Sequence, residues 1–482
     1  MSFLVAAFAF VSLLPPLLMG FFIVSLLWPS ERPLLSDLPL KCCLSVGFGF
    51  GASSCMVFLW MLIVGQLTRG VFVLEFALLA SLSILLVRRR RSSTAIAPEK
   101  VENVGAPSSG KPRLLRLALW VTVASALARY CFLSLQNPHG GFDAYAGWNL
   151  RARFLYRGAG YWKNFSAMAW THPDYPLLVP ASIARSWEFI GRETQLIPIV
   201  IGLLFTFATI GIVAISISRL RSERQGILAA LILLGTPFLI IHGASQYADV
   251  PVSFFFVATV ALLCFYSESP SQLHFLILAG MAAGFSAWTK NEGILFFTVL
   301  FLVHLAVTTA AKGRKAYLRE VGALAAGAAP LIVVIGVYKI CVAATNDMIG
   351  AEASRSAAAD LLDMSRYHMV AAHFLKELQA FGEWNPILPV PLLLFFYFLL
   401  VNAHVEKKSV PAIGITVLLI VLMLAGFFFV YIVSPFNLEW HLDTSLDRLL
   451  LQVWPLAVFA YFAVVQTPER AMREEGVRSR TS

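Results

Sequence analysis

The chain has 482 residues, 59% of them hydrophobic and only 13% charged, with a mean hydropathy of +0.76. A soluble domain carries about a quarter charged residues, so a soluble multidomain protein and a disordered chain are both excluded, as is an outer-membrane barrel, whose alternating strands give weak hydropathy. The net charge of +10 comes from 37 Lys+Arg against 27 Asp+Glu, and in a membrane chain it reflects basic residues at cytoplasmic span ends rather than a nucleic-acid partner.

Apolar runs predict an all-α polytopic fold of about thirteen spans in the lipid bilayer. The first three, near 3–28, 42–65 and 70–87, form an N-terminal unit over residues 1–91. The apolar run begins at the third residue without a basic stretch before it, so it reads as a retained span and not a signal peptide. A Ser- and Pro-containing linker is expected at 92–113. The larger core, 114–343, holds spans near 114–136, 195–217, 226–243, 250–266, 273–289, 293–311 and 321–343. A C-terminal group over 386–466 has spans near 386–403, 411–433 and 449–466, and a tail runs over 467–482. The six cysteines all lie in or beside apolar runs without CxxC spacing, so neither disulfides nor structural zinc are expected.

Basic residues orient the chain. Arg88 to Arg91 follow the third span, which makes that end cytoplasmic. Alternation then makes cytoplasmic the loops with Arg219, Arg221 and Arg224, with Lys312 to Arg319, and with Lys407 and Lys408, together with the tail. The N-terminus falls outside and the C-terminus in the cytoplasm. Two long extracytoplasmic loops result, 137–194 and 344–385. In the first, Tyr145, Trp148, Ala152 and Leu155 recur at helical spacing, which suits a helix lying at the membrane surface. The second carries an amphipathic helix between about Ser356 and Phe381.

Five polar motifs fall on the outer side under this topology. Gly140-Gly141-Phe142-Asp143 allows a tight turn ahead of a carboxylate. Asp143 is either a helix N-cap, or a general base or metal ligand facing a cavity in the membrane. Thr171-His172-Pro173-Asp174-Tyr175-Pro176 is a rigid re-entry turn whose prolines fix side-chain directions. Asp249, before Pro251, either caps the next helix or faces the same cavity. Lys290-Asn291-Glu292-Gly293 is a short hairpin. Its Lys290 and Glu292 either snorkel to solvent, or Lys290 meets an anionic phosphate with Glu292 balancing it. His441 to Arg448 runs into the last span, where Thr444 or Ser445 is expected to cap the helix. Arg448 at that helix start would suit a lipid phosphate.

These residues resemble the GT-C superfamily of integral-membrane glycosyltransferases, in particular bacterial relatives of the protein O-mannosyltransferase and aminoarabinose transferase group. Asp143, the His172–Pro176 run, Asp249 with Pro251, and Lys290 with Glu292 and Gly293 appear in that family's order. The family's acidic pair is not reproduced, since Ala144 follows Asp143. Asp174 or Asp249 could supply a second carboxylate. The resemblance implies a GT-C-like fold and a sugar donor on a polyprenyl phosphate. The acceptor would be a hydroxyl on a glycan, lipid or protein, and the place the outer face of a bacterial inner (plasma) membrane. It implies Asp143, Asp249 and Asp174 as catalytic carboxylates, with Lys290, Arg448, Arg151 and Arg153 for the donor phosphate. His172, Tyr175, Tyr145, Glu292 and His441 would contact substrate. No cofactor is signalled, and a divalent metal stays open. Three alternatives remain: a transporter or flippase of a lipid-linked saccharide, which predicts charges buried at mid-membrane, an enzyme of the O-antigen ligase or polymerase type, and a non-catalytic assembly subunit.

Overall fold

In lipid a backbone has no hydrogen-bonding partner but itself, so long apolar runs become helices. The computed structural model describes residues 3–28, 37–93, 112–168, 172–345, 357, 359–384 and 389–471. Among them the only β pairing is an isolated bridge between Ala403 and Val465. The helices are α1 Phe3–Leu27, α2 Leu38–Val64, α3 Gly70–Ser93, α4 Arg113–Gln136, α5 Asn149–Arg157 and α6 Leu178–Ile190. They continue as α7 Leu196–Leu220, α8 Glu223–Leu234, α9 Pro237–Ala244, α10 Asp249–Glu268, α11 His274–Thr289 and α12 Asn291–Lys312. The last are α13 Arg314–Cys341, α14 Met364–Ala380, α15 Val390–Val401, α16 Val410–Ile432 and α17 Leu438–Val464. The protein is an all-α, multi-pass membrane protein.

Ten of the described helices are long and apolar enough to cross a bilayer, and the bent α8–α9 pair makes eleven if it counts as one span. The other three expected spans are shorter or broken. The run near 226–243 divides into α8 and α9, bent by 63° where Thr236 precedes Pro237. A proline disfavours helical backbone in the residue before it, so the break is written into the sequence. The 16 residues of α11 and the 12 of α15 rise about 24 and 18 Å, short of a hydrocarbon core of about 30 Å. Residues 94–111 of the expected linker lie outside the described residues, as do Thr171, parts of the second loop, and Arg473, Arg478 and Arg480 of the tail.

The first loop is not confined to a surface. Trp148, Ala152 and Leu155 are buried within the protein, while Tyr145 is 59% exposed. The apolar stripe therefore covers the core and α6, not lipid. Most of α6 is itself buried, including Arg185. Arg185 pairs with Glu75 of α3, and each side chain is only 1% exposed. Ser53 Oγ donates to Glu75 Oε1 at 3.0 Å, and Arg185 also donates to the Ser12 carbonyl. The guanidinium lies over the Phe72 and Phe189 rings at 5.1 and 5.3 Å. The N-terminal unit is thus fastened to α6 by a desolvated ion pair. Such a pair is costly to break on one side only, because the survivor is a buried charge. Arg185→Met should lower stability by about 3–5 kcal/mol. Adding Glu75→Gln should recover most of that loss in thermal unfolding of the detergent-purified protein.

The last helix also departs from expectation. It begins at Leu438, about three turns before the apolar run at 449. Asn437 is its cap, accepting the Trp440 N–H at 3.0 Å. Thr444 and Ser445 are interior residues whose hydroxyls donate to the Trp440 and His441 carbonyls. Leu438, Leu442 and Leu446 bury one face of these first turns against α14 and α16, while the polar residues of the other face lower the mean hydropathy. Arg448 is therefore no helix-terminal residue, and no bare N–H groups join it.

Candidate functional site

The loop after α4 and the loop before α10 are tied together. Gly140 adopts φ +77°, a conformation glycine accepts without strain. The next N–H, of Gly141, donates to the Ser245 carbonyl at 3.0 Å. Asn149 Nδ2 donates to Gln246 Oε1 at 2.9 Å, and Gln246 Nε2 returns to the Pro138 carbonyl at 3.2 Å. This lattice sets Asp143 beside Tyr247, whose hydroxyl accepts the Asp143 N–H at 3.4 Å. The Asp143 carboxylate makes no helix cap. It forms an ion pair with Arg448 of α17, 305 residues away in sequence. Arg448 also lies over the Tyr247 ring at 5.4 Å. The pair remains reachable, with side chains 36% and 20% exposed for Asp143 and Arg448. Beside it a cleft of about 350 Å³ opens between Leu133, Phe142 and Ile241.

One layer deeper, Lys290 joins Asp249 and Glu292, with Nζ to Asp249 Oδ1 and Glu292 Oε1 both at 2.9 Å. Gln452, one helical turn beyond Arg448, donates to Asp249 Oδ1 at 2.7 Å and Glu292 Oε1 at 3.3 Å. Lys290 is only 6% exposed, so it does not snorkel. Burial disfavours its charge, but Asp249 and Glu292 outweigh that and hold its pKa above the ordinary lysine value. The hairpin reaches this depth because Gly293 packs against the Ser286 carbonyl with no room for a Cβ. Glu292 Oε2 and Gln452 Oε1 are buried acceptors without a hydrogen-bond partner among the described residues.

The third part is the turn at 172–176, and four consecutive carbonyls of it are held by side chains. Arg151 donates to the His172 and Tyr175 carbonyls, the latter at 2.9 Å. Tyr338 Oη donates to those of Pro173 and Tyr175 at 3.1 and 2.8 Å. Lys339 Nζ donates to the Asp174 carbonyl at 2.7 Å. The Asp174 carboxylate, 1% exposed, accepts from Asn291 Nδ2 at 2.6 Å and from Lys339 at 3.3 Å. The grip holds His172 at φ +48°, a conformation that costs a non-glycine residue energy. It stacks the Tyr175 ring between His172 and Trp148, at 5.1 and 5.8 Å, with Lys290 5.5 Å from that ring. Arg151→Lys removes the planar two-carbonyl fork. Hydrogen–deuterium exchange at residues 172–178 should then rise by about tenfold, the equivalent of one charged hydrogen bond.

Four of the five sequence motifs thus converge, through Asp143, Asp174 with Tyr175, Asp249, and Lys290 with Glu292, and Arg448 from the fifth joins them. Three other residues stand apart. Arg153 pairs with Glu193 at 3.6 Å, Tyr145 points outward, and His441 Nδ1 meets Ser434 Oγ at 2.8 Å. Arg151 donates to the backbone of the turn. Among the described residues no group of three His, Cys, Asp or Glu is placed to hold a metal ion.

No protein-family model, curated protein or solved structure matches this chain.

Sequence reasoning missed Gln452, Lys339, Asn291, Tyr338 and Tyr247 as partners. Gln452 and Lys339 carried a signal, since each is a lone polar residue within an expected apolar span. Tyr338 and Asn291 carried none beyond adjacency to marked residues.

Proposed function

We propose that the protein is a glycosyltransferase that moves a sugar from a polyprenyl phosphate to a hydroxyl acceptor on the extracytoplasmic face of a bacterial plasma membrane. The observation that carries this reading is the Asp143–Arg448 pair, half-open at the rim, backed by the buried Asp249–Lys290–Glu292–Gln452 cluster. A transferase of this kind needs a base for the acceptor, a cation for the departing phosphate and acceptors for sugar hydroxyls. Asp143, Arg448 and the bare Glu292 Oε2 and Gln452 Oε1 supply that set.

In this reading the donor phosphate competes with Asp143 for Arg448. Arg448 turns to the phosphate, and Asp143 is released as a free carboxylate. The acceptor oxygen attacks the anomeric carbon, its proton passes to Asp143, and the bond from that carbon to the phosphate oxygen breaks. Polyprenyl phosphate leaves already ionised, so it needs a cation more than a proton. A single displacement inverts the anomeric configuration. The acceptor would be a glycan, lipid or protein, approaching along the cleft beside Phe142.

The test is purified protein in liposomes with a panel of radiolabelled polyprenyl-phosphate sugars. Release of polyprenyl phosphate with label in a water-soluble or acceptor-bound product supports transfer. A second reading is favoured by the ion pairs buried within the bundle, Glu75–Arg185 and Lys290–Asp249, since charges inside a membrane often mark a transport path. A flippase would move the same donor across the liposome membrane without breaking its sugar–phosphate bond, and the same assay separates the two.

A further inference from the structure

A second cavity lies away from the carboxylate cluster, where the N-terminal unit meets the first loop. It is a cleft of about 390 Å³ lined by Phe8 of α1, Arg69, Phe72 and Phe76 at the start of α3, and Phe189 and Ile190 at the end of α6. Arg69, Phe72 and Phe76 follow i, i+3, i+7 spacing, so they share one face. The Phe72 N–H donates to the Arg69 carbonyl at 3.1 Å, which makes Arg69 the first residue of that face. Phe76 then lies about 10 Å along the axis from Arg69. Phe8 and Phe76 are 48% and 50% exposed, so the apolar part of the cleft is open on its outward side.

Arg69 places a cation at the mouth of this cleft, close enough to Glu188 of α6 and to Tyr156 for its charge to act on both. Its guanidinium makes no hydrogen bond or ion pair among the described residues. It rests over Gly191, where a Cβ would come within 3.3 Å of Nη2. A side chain at that position would crowd it. The neighbouring arginines are committed elsewhere: Arg185 to Glu75 behind the Phe72 and Phe189 rings, and Arg157 to Glu193. One guanidinium about 10 Å along the helix from Phe76, beside a phenylalanine-lined cleft, matches a molecule with a phosphate at one end and a hydrocarbon chain at the other.

We propose that this cleft binds an anionic diacyl phospholipid, its phosphate on Arg69 and one acyl chain along Phe72, Phe76 and Phe8. Such a lipid bridges α1, α3 and α6 just above the buried Glu75–Arg185 pair. It closes the seam between the N-terminal unit and the core. A charged group at the membrane surface adds about fivefold in affinity for anionic lipid. The cleft's volume falls at the small end of ligand sites, about 300–1,000 Å³.

The test is native mass spectrometry of the full-length protein, titrated with phosphatidylglycerol and phosphatidylcholine of identical chains. The expected result is about fivefold more retained phosphatidylglycerol at equal lipid. Arg69→Gln should erase that preference and leave the protein folded, since Arg69 is exposed and makes no internal bond. Phe76→Ala should weaken both lipids equally. Equal retention of the two lipids by the native protein would overturn the proposal, as would a preference that survives Arg69→Gln. Displacement of the bound lipid by inorganic phosphate alone, or by polyprenyl phosphate at lower concentration, would overturn it too. None of these readouts depends on sugar transfer, so the lipid site and the proposed reaction succeed or fail separately.

Discussion

Asp143→Asn is expected to lower sugar transfer by about 10²–10⁴-fold while leaving the protein folded. The amide keeps the shape of the carboxylate and can still accept one hydrogen bond from Arg448, but it cannot take the acceptor's proton. Folding should survive because the Asp143–Arg448 pair is partly open to solvent, where an ion pair contributes little to stability. Donor binding should be preserved or tightened, since Arg448 no longer has to leave a charged partner to reach the phosphate. Single-turnover rates beside equilibrium donor binding check both halves. Near-normal transfer by this variant would remove Asp143 from the mechanism.

Lys290→Met has the opposite character: its main effect is on the fold. Asp249 is 1% exposed and its carboxylate has two donors, Lys290 and Gln452. Removing the ammonium leaves two carboxylates facing each other in a largely buried site. A buried pair broken on one side costs about 3–5 kcal/mol, and the added like charge pushes toward the upper end. The thermal transition of Lys290→Met should fall sharply, and Lys290→Met with Asp249→Asn should regain a large part of the loss. Unchanged stability in the single variant would mean that Lys290 is not held as described.

The membrane class and most helices were legible because hydropathy over about twenty residues is a summed signal. It fails where the sum is diluted. The first turns of α17 hide their Leu438, Leu442 and Leu446 stripe among His441, Asp443 and Arg448. The α8–α9 pair reads as one run because apolar side chains flank its break. For the site, Asp143, Asp174, Asp249, Lys290 and Glu292 stood out as polar residues where apolar ones surround them. Their pairings did not, because ion pairs between residues 305 and 41 positions apart depend on how helices cross. Arg185 and Glu75 illustrate the same limit. Glu75 sits visibly alone in an apolar span, yet Arg185 lies in a segment expected to be outside, and only the burial of α6 joins them.

Sugar transfer by this protein can be read in cells with and without it, from their polyprenyl-phosphate-sugar pool and their surface glycans. One lipid-linked sugar should accumulate in the deleted strain, and the same sugar should be missing from a surface glycan, lipid or protein. Wild-type protein should restore both, and Asp143→Asn neither. An unchanged donor pool with intact surface glycans, or full restoration by Asp143→Asn, would contradict sugar transfer of this kind.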